Sequence, residues 1–165
     1  MKRETSLACV GVLFALLGCG DPDTNESAPL ANDPSSPTFD RTQTGPNMRS
    51  GENCLSCHRA GGLASSKPWS AAGTVFRAAD SPVDDGAYGA TITITDNAGK
   101  AVTLTSNAVG NFYTLEPLEK PLRMAIEYEG RRAEMPIPLD AQGACNGCHS
   151  HPDPIGGAKG RIRIP

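Results

Sequence analysis

Between residues 69 and 140 the chain repeatedly alternates apolar and polar side chains with a period of two. Residues 90–95, Ala-Thr-Ile-Thr-Ile-Thr, put Ile92 and Ile94 on one face and Thr91, Thr93 and Thr95 on the other. That is the signature of a half-buried strand. Residues 101–105 and 122–128 alternate in the same way, and Met124 falls in phase with Leu122 and Ile126 as a core position. Shorter strands are expected at 73–77, 112–115 and 131–135, with a last one at 161–164. Glycine and asparagine mark the turns between them, at 96–99, 107–111 and 129–130. Six or so short strands with frequent turns predict an antiparallel β-sandwich.

The alternation stops on both sides of this block. Residues 51–62 and 141–152 are rich in small residues and are expected to be irregular apart from one helical turn around their cysteines. Residues 19–50 hold Asp-Pro-Asp, Asn-Asp-Pro-Ser-Ser-Pro and Thr-Gly-Pro-Asn runs. They bury too little apolar surface to offset the entropy of ordering, so they are expected to be a tether. A flexible chain of about 30 residues spans roughly 30 Å. Residues 1–18 open with Lys2 and Arg3 and continue in an apolar run from Leu7 to Leu17. This run is too short to cross a bilayer and has the length of a signal h-region. The expected organisation is therefore signal 1–18, tether 19–50, a first cysteine segment 51–68, a sandwich 69–140 and a second cysteine segment 141–165.

Composition narrows the function. With 38% apolar residues and 5% aromatic ones, the core must be modest. The net charge is −3 and no basic block or stripe occurs, so nucleic acid is not an expected partner. The chain has six cysteines. Cys9 leaves with the signal, Cys19 follows it, and the other four form two Cys-x-x-Cys-His pentapeptides, Cys54–His58 and Cys145–His149. Two thiols at this spacing can each form a thioether to a vinyl group of one haem, and the adjoining imidazole then lies over the ring for the iron. Two other chemistries use the same pairs. One is a single zinc held by all four thiols; the other is a pair of disulfides.

Three resemblances sharpen this picture. Leu16-Leu17-Gly18-Cys19 resembles the bacterial lipobox. It implies cleavage before Cys19, acylation of that cysteine and attachment to a lipid bilayer outside the cytoplasm, at the periplasmic face or the cell surface. The paired pentapeptides resemble those of multi-haem c-type cytochromes. They imply two haem c groups, bound through Cys54, Cys57, Cys145 and Cys148 with His58 and His149 as proximal ligands. Gly73-Thr74-Val75, Gly89 to Asp96, Gly99 and Ser106 to Tyr113 resemble the carboxypeptidase regulatory-like domain, with Ser106-Asn107 where that family has threonine-aspartate. That resemblance implies an Ig-like, prealbumin-like sandwich and no enzymatic activity.

Ligands for the far side of each iron are scarce. His151 is too close to His149 to reach round the same ring, but it is a candidate for the other haem. Met48 and Met135 are candidate thioether ligands. Trp69, the one tryptophan, is read as packing against the core or a haem edge. The expected function is electron transfer with redox partner proteins. The alternative is an extracytoplasmic β-sandwich module clamped by zinc or disulfides. No acid–base pair stands out that would make the protein an enzyme.

Overall fold

The computed structural model describes residues 44–165. The expected signal peptide, Cys19 and the tether up to residue 43 lie outside the described residues. Seven strands form: β1 (Ala71–Thr74), β2 (Thr91–Thr95), β3 (Ala101–Thr105), β4 (Asn111–Thr114), β5 (Arg123–Tyr128), β6 (Arg131–Glu134) and β7 (Gly143–Ala144). They make a three-stranded sheet in the order β4-β1-β7 and a four-stranded sheet in the order β3-β2-β5-β6.

The period-two pattern builds the four-stranded sheet. Ile92 pairs with Leu104 on one side and Ile126 on the other, and Ile94 pairs with Val102 and Met124. The isoleucines therefore bring their neighbours onto one face. That face packs on Ala71, Val75 and Phe112 from the other half, giving the β-sandwich core. Each fully buried Ile contributes about 1.5–3 kcal/mol relative to exposure. β6 is exposed at every position and carries Arg131, Arg132 and Glu134, charges that discourage pairing at a sheet edge.

The three-stranded sheet departs from the expected pattern in ways with physical causes. β1 begins at Ala71 and ends at Thr74, because Val75 turns to the 107–111 loop, where its N–H donates to Gly110 O at 2.8 Å. A side chain at Gly110, where φ is +81°, would collide with Val75 O, so the loop admits only glycine there. Asn107 Oδ1 accepts from Val109 N at 3.1 Å and Asn111 N at 2.9 Å, closing that loop with a side-chain carbonyl. β7, unforeseen, runs parallel to β1 in an otherwise antiparallel pairing scheme. The expected strand at 161–164 is reduced to one bridge between Phe76 and Arg163, with Ile162 O and Ile164 N both bonded to Phe76.

The tether is also shorter than expected at its C-terminal end. Pro46 O and Met48 O accept from the Asn111 amide at 3.2 and 2.8 Å, and Pro46 O accepts from Asn107 Nδ2 at 2.6 Å. Ser50 is buried, its hydroxyl donating to Val109 O at 3.2 Å. Residues 46–50 are thus part of the folded body.

Candidate functional site

Each pentapeptide winds into a single turn, as expected. In the first, Cys54–Ser56 form a 3-10 turn and His58 N donates to Cys54 O at 2.9 Å. In the second, α1 (Cys145–Cys148) is one α-helical turn, and His149 N donates to Cys145 O at the same distance. The turn carries the second cysteine and the histidine round onto the side of the first.

Both turns pack on β1, and the first also touches β7. The join between them is Asn146, a residue inside the second pentapeptide and only 4% exposed. Its Nδ2 donates to Glu52 O, two residues before Cys54, and to Thr74 Oγ1, both at 3.0 Å. Its Oδ1 accepts from Thr74 N at 3.0 Å. Thr74 Oγ1 also accepts from Gly51 N at 2.9 Å and donates to Asn111 Oδ1 at 2.8 Å. One buried polar knot therefore ties the segments before and within the two pentapeptides to the centre of the three-stranded sheet. Sequence reasoning gave Asn146 no role, because it stands at a variable position of its motif.

The two histidines are held alike. His58 Nδ1 lies 3.1 Å from Lys67 O, and His149 Nδ1 lies 3.0 Å from Gly160 O. A carbonyl only accepts, so each Nδ1 carries a proton, and the neutral ring then has its lone pair on Nε2, the nitrogen that could bind a metal. Metal-ligating histidines usually spend their second nitrogen in this way. His58 has a further support. Its ring stacks on Trp69 with centroids 3.5 Å apart and planes 3° from parallel, and Trp69 stacks on Tyr113 at 4.2 Å. Trp69 N also donates to His58 O at 3.0 Å, closing the loop between them. Trp69 thus packs on the histidine rather than in the core cluster.

The four cysteines are free thiols. Cys57 and Cys148 are half-buried. Cys145 is 5% exposed and belongs to the core cluster, with its Sγ 3.8 Å from Met124 Sδ and 3.5 Å from Gly143 O. Gly73 makes room for it: a Cβ there would come within 2.8 Å of both Cys145 Cβ and Phe112 Cζ. Burial pushes the Cys145 thiol up to about 12, with the charge of Cys54 and Cys148 adding to the effect. Burial likewise pushes Cys54 up to about 11, with Glu52 and Cys57 contributing.

The other candidate ligands stand apart from this arrangement in different degrees. His151 is exposed in the turn after α1. Met48 is half-buried and fixed through its carbonyl to Asn111, and Met135 is half-buried with its N–H on Met124 O at 2.9 Å. Among the described residues, no three His, Cys, Asp or Glu side chains converge as a metal-binding group. A four-thiolate zinc centre is therefore not preassembled. No helix among the described residues is long and apolar enough to cross a membrane.

No protein-family model, curated protein or solved structure matches the chain. Any assignment of function therefore rests on the geometry of the two pentapeptides. Both histidines present Nδ1 to a backbone carbonyl, and in the first pentapeptide both thiols are half-buried. At the second, Cys148 is half-buried, whereas Cys145 faces the core.

Proposed function

We propose that the chain is a two-haem c-type electron-transfer protein, tethered outside the cytoplasm through an acylated Cys19. The observation that carries this reading is the shared state of the two imidazoles. Each follows a Cys-x-x-Cys turn, each spends Nδ1 on a backbone carbonyl, and each keeps Nε2 free. Chance histidines on loops have no reason to share this arrangement. Haem, when bound, supplies a one-electron iron couple. The chain's part is to hold two such couples beside one strand and to orient the ligating rings. Cys54 and Cys57 would hold the first haem and Cys145 and Cys148 the second, with His58 and His149 on the irons. Redox partner proteins would exchange single electrons with this pole, and the sandwich would act as its scaffold.

The test is the mass of the mature protein from a host that attaches c-type haem. Porphyrin adducts on both pentapeptides, with haem staining of the denatured chain, are expected. A colourless chain with unmodified cysteines would overturn the proposal. Stoichiometric zinc or two disulfides in that chain would favour the clamped β-module instead.

A further inference from the structure

We propose that Asn146 is the positioning residue that fixes the two haem-binding turns relative to each other, and so sets the electronic coupling between the two irons. This inference rests on the two-haem reading above.

Asn146 occupies the first variable position of Cys145-Asn146-Gly147-Cys148, so any movement of its side chain moves the turn that carries both thiols and His149. Three of its four hydrogen-bonding positions are used, both donors among them. One amide hydrogen goes to Glu52 O and the other to Thr74 Oγ1, and the carbonyl accepts from Thr74 N. The amide has one workable orientation, because a flip would set its oxygen against Glu52 O and its nitrogen against an N–H donor. Glu52 is two residues before Cys54, in the segment that leads into the first turn. The carbonyl it offers is therefore rigidly related to the first pair of thiols. The second contact, Thr74 Oγ1, also receives Gly51 N at 2.9 Å. Two independent hydrogen-bonded paths, one direct and one through Thr74, thus join the second turn to the lead-in of the first.

The site is also built to resist relaxation. Asn146 is 4% exposed and Thr74 is fully buried, so water cannot replace a lost bond without entering the protein. A Cβ at Gly147 would lie 3.3 Å from Asn53 Nδ2, which shows how closely the backbone of the second turn approaches the residue before Cys54. A mere capping residue would need only one of these contacts and would not have to reach across 94 positions of sequence.

The experiment uses the full haem-loaded protein with Asn146→Ala, Asn146→Asp, Thr74→Ser and Thr74→Val. Asn146→Asp keeps the shape but sets a carboxylate oxygen against Glu52 O. Thr74→Ser keeps the hydroxyl, and Thr74→Val removes it. The readout is the bisignate Soret circular dichroism produced when two haems couple, together with haem content by mass. Wild type and Thr74→Ser are expected to show the couplet. Asn146→Ala, Asn146→Asp and Thr74→Val are expected to lose it while retaining two haems and the visible spectrum of the wild type. A couplet unchanged in all three at full haem content would overturn the proposal. Amide exchange at Thr74, Gly51 and residues 56–58 gives a second measurement that does not depend on haem. Faster exchange in Asn146→Ala supports the positioning role, and unchanged exchange overturns it. A wild-type chain without porphyrin would sink the two-haem reading alone and leave amide exchange to decide the role of Asn146.

Discussion

The first and second pentapeptides share a sequence pattern, a one-turn conformation and a way of holding histidine, but they live in different surroundings. The first sits in a loop that folds back on itself. Trp69 closes it, Ala64 N bonds Cys57 O, and a Cβ at Gly62 would collide with that same carbonyl. The second is wedged at the sandwich edge, with Cys145 among core residues and β7 immediately before it. The difference shows what five residues can and cannot specify. They dictate the turn and bring thiols and imidazole together. The flanking chain decides how much water and which neighbours the cofactor meets, and those are the levers that tune an iron potential.

The largest test of this contrast is thiol reactivity before haem attachment. At pH 8 a thiol held near 12 has roughly a thousandfold less thiolate than one at an ordinary value. Iodoacetamide should therefore modify Cys145 last in the folded chain, with the order lost in urea. Equal rates at all four sites in the folded chain would erase the distinction. Next in size is Gly73→Ala, which crowds Phe112 and Cys145. It should cost about 1–3 kcal/mol in denaturant unfolding and disturb the second pentapeptide. Gly62→Ala should instead disturb the first.

Stability should also fall at high pH. The thiols at Cys54 and Cys145 are raised above the ordinary value of 9.0, so the unfolded chain loses these protons first. Their contribution is complete below about pH 9 and is lost as pH rises towards 11 and 12. Urea midpoints from pH 7 to 11 should show the decline, and Cys145→Ala should flatten it more than Cys54→Ala. The smallest effect is expected from Trp69→Leu, which removes the ring from His58 at a cost of about 1 kcal/mol. In the proposed two-haem protein it should shift the midpoint potential of the first haem and leave the second unchanged, whereas Trp69→Phe restores part of the stack. Equal shifts at both haems would show that the aromatic support is not local.

Much of this was readable from the sequence where a periodic signal exists. The Thr-Ile-Thr-Ile-Thr run gave β2 and its inward isoleucines, because alternate side chains of a strand point to opposite faces. β7 was not readable, since Gly143–Ala144 is two small residues with no alternation, and it forms only because Ala71 and Ala72 leave a bare edge for it. Cys-x-x-Cys-His disclosed both turns, but not that Cys145 joins the core, which depends on the missing side chain at Gly73 across the fold. The stack of His58 on Trp69 left no trace either, because the eleven-residue spacing follows no helical or strand repeat and is set by a loop. Asn146 acts through contacts that exist only after the chain ends have met.

That meeting has a kinetic consequence. The parallel pairing of Ala71 with Gly143 joins segments separated by nearly half the polypeptide. Bringing such distant segments together costs configurational entropy that local hairpins such as β2–β3 and β5–β6 do not have to overcome. Those hairpins should organise early and the pole that carries the two pentapeptides late. The two pentapeptides would then stay open until the rest of the sandwich has formed, and Cys145 would be covered last.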